Sequence, residues 1–447
     1  MSNIGDVITE RRARVTALLT AALLITALTL FAATPGAASD EAVSPANAPE
    51  WAHAGKKLLS TNSPLGADTP SVAYRPDGAE VMVVYNHWRS TVENRDPYYT
   101  VFNGTTWSTP AAIATTSGTK SSSVKVAYDG SGNAHAVWVE PDGIYYARFD
   151  RTTRAWSATR KLSAAQTGDD LFLEPDIATN GNEIDVVWAQ RVGFENPDIF
   201  HTSSTNRGTS WSSPVPVGAS AGLPSTSRVP DIHIAPGGQR HLVWQESTLP
   251  HSQILYTSKG SLTAAWTSSS VIISTGVGSN SEAEQPRLVV QDGKVHVSFT
   301  VSRNISGYRQ KWIYYTSCSA SCRASSGNWS TPANVSVQPV RVNEFDPFYA
   351  ISDLMLAGNC TYVFFYGYTD SPPNEVVWDV NSCDSWSNGG RDQITSASVR
   401  SMYPAVAASE RQIVLVFEQV AAGKHEIYAL IGELPPPQVF IPFVVTR

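Results

Sequence analysis

Six ionisable residues stand at the entrances of recurring short strands: Asp68, Glu174, Arg228, Glu284, Asp346 and Arg400. Carboxylates and guanidinium groups brought together with Tyr and Trp nearby can hold a sugar or a peptide by paired hydrogen bonds and by stacking on ring faces. That chemistry needs no reaction and no cofactor. His135, His241 and His296 also recur, each three residues before the aromatic that ends a strand. Metal ligands converge within about 2 Å of one atom. One His per repeat, always at the same place, instead implies a packing residue with a satisfied ring nitrogen, so no metal is expected.

The elements that position these residues follow from a long period. Trp51, Trp107, Trp156, Trp211, Trp266, Trp329 and Trp386 lie 49 to 63 residues apart, the spacing of a repeated supersecondary unit. The unit is clearest from Pro175 to Trp211. It holds a small apolar strand (Pro175-Asp-Ile-Ala), a β-branched strand ending on an aromatic (Ile184 to Trp188), a third strand (Ile199-Phe-His201) and a strand at Trp211. Seven such hairpins recur, from Ser71–Tyr85 to Pro404–Phe417. Radial repetition of four-stranded units protects their edges, so the predicted fold is an all-β propeller of seven blades, with six as the alternative if one unit is a decorated loop. The segment at Trp51 has no hairpin before it, and the last hairpin has no Trp strand after it. The N-terminal strand should therefore complete the last blade.

Residues 1–38 read as a signal peptide, with an uncleaved membrane anchor as the alternative: Arg11, Arg12 and Arg14 precede an apolar stretch from Val15 to Ala33 and a small-residue tail ending at Ala38. Residues 39–50 read as a linker, 51–432 as the propeller and 433–447 as a Pro-rich apolar tail, either a strand on the ring's side or an export tag. Cleavage would take the formal charge from −7 to −8, as three Arg leave with Asp6 and Glu10. The remaining charges are scattered, which argues against a nucleic-acid partner. No other stretch is long and apolar enough to span a membrane. A secreted or cell-surface, monomeric protein is expected, with an extracellular glycan or protein as partner. In that setting four cysteines suggest two local disulfides, Cys318–Cys322 and Cys360–Cys383, rather than zinc.

One turn adds a signature. Ser204-Thr-Asn206-Arg-Gly208-Thr-Ser-Trp211 resembles the Asp box of the sialidase-like, BNR-repeat propellers, a folding device in which a polar side chain ties the turn and the Trp pins it. The resemblance implies where an exo-sialidase site would lie. Tyr403 would be the nucleophile, Glu174 its activating partner and Asp96 the acid/base. Arg191 would give one arm of an arginine clamp on the substrate carboxylate, with Arg228, Arg287, Arg303 and Arg400 competing for the other arms. Two segments fit: Glu174 to Arg191, and Tyr403-Pro-Ala-Val-Ala with its hairpin. The opening clamp position reads Asp68-Thr69-Pro70, a carboxylate where an Arg is needed. A binding propeller is therefore expected ahead of an active sialidase.

Overall fold

The second strand of each unit explains the sheets. Val81–Trp88, Ala134–Glu140 and Glu183–Gln190 are rich in β-branched and aromatic residues and are buried along nearly their whole length. A strand of that kind needs neighbours on both edges and cover on both faces. In the computed structural model each lies in an antiparallel sheet of four or five strands, and the architecture is an all-β propeller. The structure describes residues 50–51, 55–90, 94–115, 120–164, 172–191, 196–217, 225–248, 251–266, 269–305, 308–336, 340–341, 352–357, 360–368, 375–381, 391–396 and 398–434. They belong to one unit, Asn47–Arg447. The expected signal peptide, most of the linker and the tail beyond Leu434 lie outside them, as do Asp346, Cys383 and Trp386.

Among the described residues there are seven sheets. Their innermost strands are, in chain order, Ala67–Tyr74, Ser122–Tyr128, Phe172–Asn180, Thr226–Ile234, Ser281–Gln291, Ser352–Ala357 and Arg400–Ala408. Each touches the next, and Arg400–Ala408 touches Ala67–Tyr74, so the succession closes on itself. The hydrophobic core is divided in the same way. One cluster joins Val414, Val416 and Ile427 of the last sheet to Val81, Val83 and Tyr85 of the first, and another joins Val137 and Tyr146 of the second to Ile184 and Trp188 of the third.

Closure uses both ends of the ring. Glu50–Trp51 and Lys57–Leu58 pair antiparallel with Lys424–Glu433, placing Trp51 opposite Gly432 and Lys57 opposite Ala429. The Leu59 amide then donates to the Ile427 carbonyl at 2.8 Å, and the Leu59 side chain is buried between the last and first sheets. Trp51 packs edge-on against Phe364, with ring centroids 6.1 Å apart. Burying one such leucine contributes on the order of 2 kcal/mol.

The turn at Ser204 has the local bonds its sequence implies. Ser204 Oγ accepts from the Gly208 amide at 2.9 Å, Asn206 Oδ1 accepts from the Ser210 amide at 2.8 Å, and the Trp211 indole donates to the Gly208 carbonyl at 3.1 Å. Gly208 has φ +77° and lies so close to the second sheet that a Cβ would fall 1.8 Å from the Tyr146 hydroxyl. Both conditions require glycine. Cys318 and Cys322 form a disulfide, and Cys360 is also disulfide-bonded, its expected partner Cys383 lying outside the described residues.

Candidate functional site at the bulge face

The inner strands share one irregularity. Six of them shift register by a β-bulge near their start, and one residue of each bulge has positive φ: Thr69, Ser123, Glu174, Val229, Gln285 and Tyr403. In five of the six, proline follows. The bulges mark the face of the ring to which the second-to-third strand turns also point. A residue in the left-handed region turns its amide out of its own ladder, so that N–H needs another acceptor.

The acceptor comes from the preceding blade. Thr69 donates to Glu418 Oε2 at 3.3 Å, Val229 to Glu174 Oε2 at 2.9 Å and Gln285 to Gln245 Oε1 at 3.4 Å. A second row of bonds lies beneath the first, towards the axis. Asp176 accepts from the Ile232 amide at 2.9 Å, Asp231 from Leu288 at 3.1 Å and Asp353 from Val406 at 2.8 Å. With Lys125 and Arg287 these three carboxylates form a charged collar around the axis, and Arg287 lies 3.8 Å from Asp231. Burial, with the neighbouring Asp176 charge adding to it, pushes Asp231 well above the usual carboxylate range. Burial likewise raises Asp176 and Asp353, and it lowers Lys125. Sequence reasoning missed the collar, although its members share one position: each directly follows the Pro of its repeat, or that proline's equivalent.

The residues expected from the sequence fall into separate groups. Asp68, Arg228 and Glu284 immediately precede the bulge residue, whereas Glu174 and Tyr403 are bulge residues themselves. Glu174 is engaged by the next blade, through Val229 and through Arg228 Nη2 at 3.3 Å. Tyr403 packs edge-on against Tyr366, with centroids 5.6 Å apart. Three steps around seven inner strands separate Glu174 from Tyr403, the widest separation the succession allows. Asp96 is buried opposite His87 and pairs with Arg89 at 2.9 Å. Glu284 pairs with Arg309 and, at 3.4 Å, with Lys311. Arg303 is bound to Ser281 and the Val277 carbonyl and lies 5.2 Å over Trp312. Arg191 is exposed at the end of its strand, and Arg400 opens the last inner strand.

The structure gathers polar groups around Asp68, where the last blade meets the first. Asp68 accepts from the Asn86 amide at 2.8 Å and from the Trp88 indole at 2.7 Å, and Arg95 lies 3.4 Å away. Beside it Glu418 bonds His425, whose ring lies 5.0 Å from Trp88. Burial raises the Glu418 carboxyl, and the charge of Asp68 adds to that while His425 opposes it. Trp88 and His425 keep part of their surfaces in water. Glu418 and His425 are about 350 residues from Asp68 in sequence, so no local motif announces this cluster. Among the described residues no group of three or more His, Cys, Asp or Glu side chains is arranged to hold a metal ion, and no helix is long and apolar enough to cross a membrane.

No family model matches the chain, and no curated protein matches it in sequence. Solved structures are similar in fold. A protein of unknown function from Dyadobacter fermentans is 12% identical at TM-score 0.52, with 87% of this chain and 100% of that one covered. A polysaccharide lyase of family PL25, an ulvan lyase, is 13% identical at TM-score 0.53 over 85% of this chain and 96% of its own. The sialidase of Trypanosoma rangeli is 10% identical at TM-score 0.45, and this chain spans 55% of it.

Proposed function

We propose that the chain is a secreted, sialidase-like propeller of seven blades that binds a neutral, hydroxyl-rich glycan at the bulge face, around Asp68, Asn86, Trp88 and His425. The observation that carries this reading is the state of the arginines. Arg228 is paired with Glu174, Arg95 lies beside Asp68, Arg309 is paired with Glu282 and Glu284, Arg287 faces Asp231, and Arg303 is held by Ser281 and a carbonyl. A sialic acid carboxylate needs guanidinium groups that converge and are not already neutralised by carboxylates. Hydroxyl groups, by contrast, are well served by carboxylate and amide acceptors beside a partly exposed indole. The fold is shared with an ulvan lyase bound to a glucuronate and sulfated-rhamnose carbohydrate, which supports a carbohydrate ligand but not its neutrality; the neutrality rests on the paired arginines.

The alternative is an exo-glycosidase of sialidase type, with Tyr403, Glu174 and Asp96 in the catalytic roles and Arg191, Arg228 and Arg400 as the clamp. A panel of neutral and sialylated oligosaccharides, combined with a chromogenic sialoside, separates the two readings. Binding of a neutral oligosaccharide that weakens at least about tenfold in Trp88→Ala and His425→Ala, without sialoside turnover, supports the binding module. Robust turnover abolished by Tyr403→Phe, with Glu174→Gln and Arg191→Ala also inactive, overturns it.

A further inference from the structure

The opposite face of the ring carries a cavity that the repeat itself explains. Its volume is about 710 Å³, and it lies between the fourth and fifth blades, lined by His241, Tyr256, Ser258, Ser269 and the disulfide-closed segment through Arg323. His241 is 4% exposed. Its Nδ1 is 2.8 Å from the Tyr256 hydroxyl, while its Nε2 is buried without a hydrogen-bond partner. Tyr256 also hydrogen-bonds Ser258. A phenol that accepts from Ser258 donates to Nδ1, which leaves the imidazole proton on Nε2. Burial, with His233 adding to it, lowers His241 to about 4, so the ring is neutral at physiological pH. An unmet buried N–H costs about 1–3 kcal/mol.

Two blades earlier the same arrangement is complete. His135 occupies the corresponding position, with Nδ1 2.7 Å from Tyr146 Oη, and its Nε2 meets Asp129 Oδ2 at 3.2 Å. Arg207 of the following blade lies 3.8 Å from the same carboxylate oxygen. The two turns share their main-chain bonds, although Asp129 Oδ1 also accepts from the Ser131 and Asn133 amides. Asp129 donates to the Asn133 carbonyl and accepts from Gly132, just as Ala235 donates to Gln239 and accepts from Gly238. The rings above match as well: Trp211 is edge-on to Tyr146 at 4.9 Å, and Trp329 is edge-on to Tyr256 at 4.9 Å. The fourth blade therefore retains the histidine, the tyrosine and, from the fifth blade, an arginine, but Ala235 replaces the carboxylate. Among the cavity-lining residues there is no Asp or Glu.

We propose that this cavity binds a small carboxylate, whose oxygens take the place filled by Asp129 in the second blade and accept from His241 Nε2, with Arg323 supplying positive charge. The serine hydroxyls around it suit a ligand that also carries hydroxyl or amide groups. A sugar acid and a peptide carboxyl share this chemistry.

Calorimetric titration of the purified chain with acetate, glucuronate and N-acetylglycine tests the proposal, with glucose and N-acetylglycinamide as neutral controls. Saturable one-to-one binding is expected for the carboxylates, with the neutral controls at least about tenfold weaker. Preference for glucuronate assigns the ligand to the sugar acids, and preference for N-acetylglycine to peptide carboxyls. Ala235→Asp rebuilds the second-blade arrangement within the chain, so it should abolish binding while holding or raising the melting temperature. His241→Phe and Arg323→Ser should each weaken binding about tenfold with the fold kept. Absence of saturable binding to the folded protein, equal binding of the neutral controls, or binding that survives in folded Ala235→Asp and His241→Phe alike would overturn the proposal. A carboxylate that still binds both variants would belong to the bulge face, which separates this test from that of the glycan site.

Discussion

The two faces of the ring use carboxylates differently. On the face opposite the bulges a buried carboxylate of one blade meets an arginine of the next: Asp185 with Arg240 at 3.2 Å, both almost fully buried, and Glu80 with Arg154, whose guanidinium is half in water. On the bulge face carboxylates accept backbone amides across the blade boundary, and the arginines that join them are partly in water. The first arrangement is rigid and intolerant of loss, because a buried charge without its partner has no substitute for water. The second tolerates replacement by any acceptor of similar reach, and Gln245 already stands where other blades use Glu. A face built in this way can vary its chemistry without endangering the ring.

The largest effect should come from the closing strands, which serve both faces at once. Deleting residues 47–60 removes the pairing with Lys424–Glu433 and the buried Leu59 side chain, and should cost on the order of 5 kcal/mol, with the whole ring losing cooperativity. Unchanged thermal unfolding of the truncated protein would sink the closure.

Next in size is Arg240→Ala, which leaves Asp185 buried with only His201 and the more distant Lys259 and should destabilise by about 3–5 kcal/mol. At the other end of the scale, Arg309→Ala removes an arginine whose side chain is 48% exposed and should change unfolding free energy by less than about 1 kcal/mol. Denaturant titrations giving equal losses for these two variants would erase the distinction between the faces.

Between them lies a pH test with opposite signs. Burial opposes ionisation of Asp185, but the bond from His201 and the charges of His201 and Arg240 outweigh it and hold its pKa below the ordinary value. Its contribution is therefore fully present above the unfolded pKa of about 4 and is lost as pH falls towards the folded value. Asp231 is shifted the other way, so its ionisation costs stability at neutral pH, and that cost is relieved as pH falls through its raised folded pKa. Asp185→Asn should flatten the acid limb of the stability profile. Asp231→Asn, which keeps an acceptor for Leu288, should be neutral or stabilising at pH 7 and lose any advantage near pH 4. A loss at pH 7 for Asp231→Asn comparable to that for Asp185→Asn would show that the collar charge is itself needed.

Much of the architecture was legible because the repeat prints it many times over. The tryptophans, the aromatic that ends each second strand and the unpaired strand at Trp51 each report a local preference reinforced by the next copy. The bulges were half visible: the proline after Thr69, Glu174, Val229, Gln285 and Tyr403 was in the sequence, but the left-handed residue before it was not. The site was harder because its partners meet across blades. Asp68 gathers Asn86, Trp88 and Arg95 from its own blade, but Thr69 meets Glu418 and Trp88 meets His425 only where the last blade joins the first, contacts that no window of sequence contains. Glu174 shows the same limit. Its place at a strand entrance matches a catalytic motif, yet its oxygens are taken up by Val229 and Arg228.

The shared final sheet also sets an order of assembly. Of the strands that build the ring, Glu50–Trp51 and Lys57–Leu58 are made first, but their partner strand, Lys424–Glu433, comes last. Every interior blade can form from neighbours in sequence, while the amino-terminal strand waits for a contact more than 360 residues away. Topology thus makes ring closure the late, slow step of folding. A circular permutant that joins residue 434 to residue 50 through a short linker and opens the chain at the exposed Pro236–Gly237 turn would make the closing contact local. Such a molecule should refold faster than the natural order allows, with little change in its equilibrium stability.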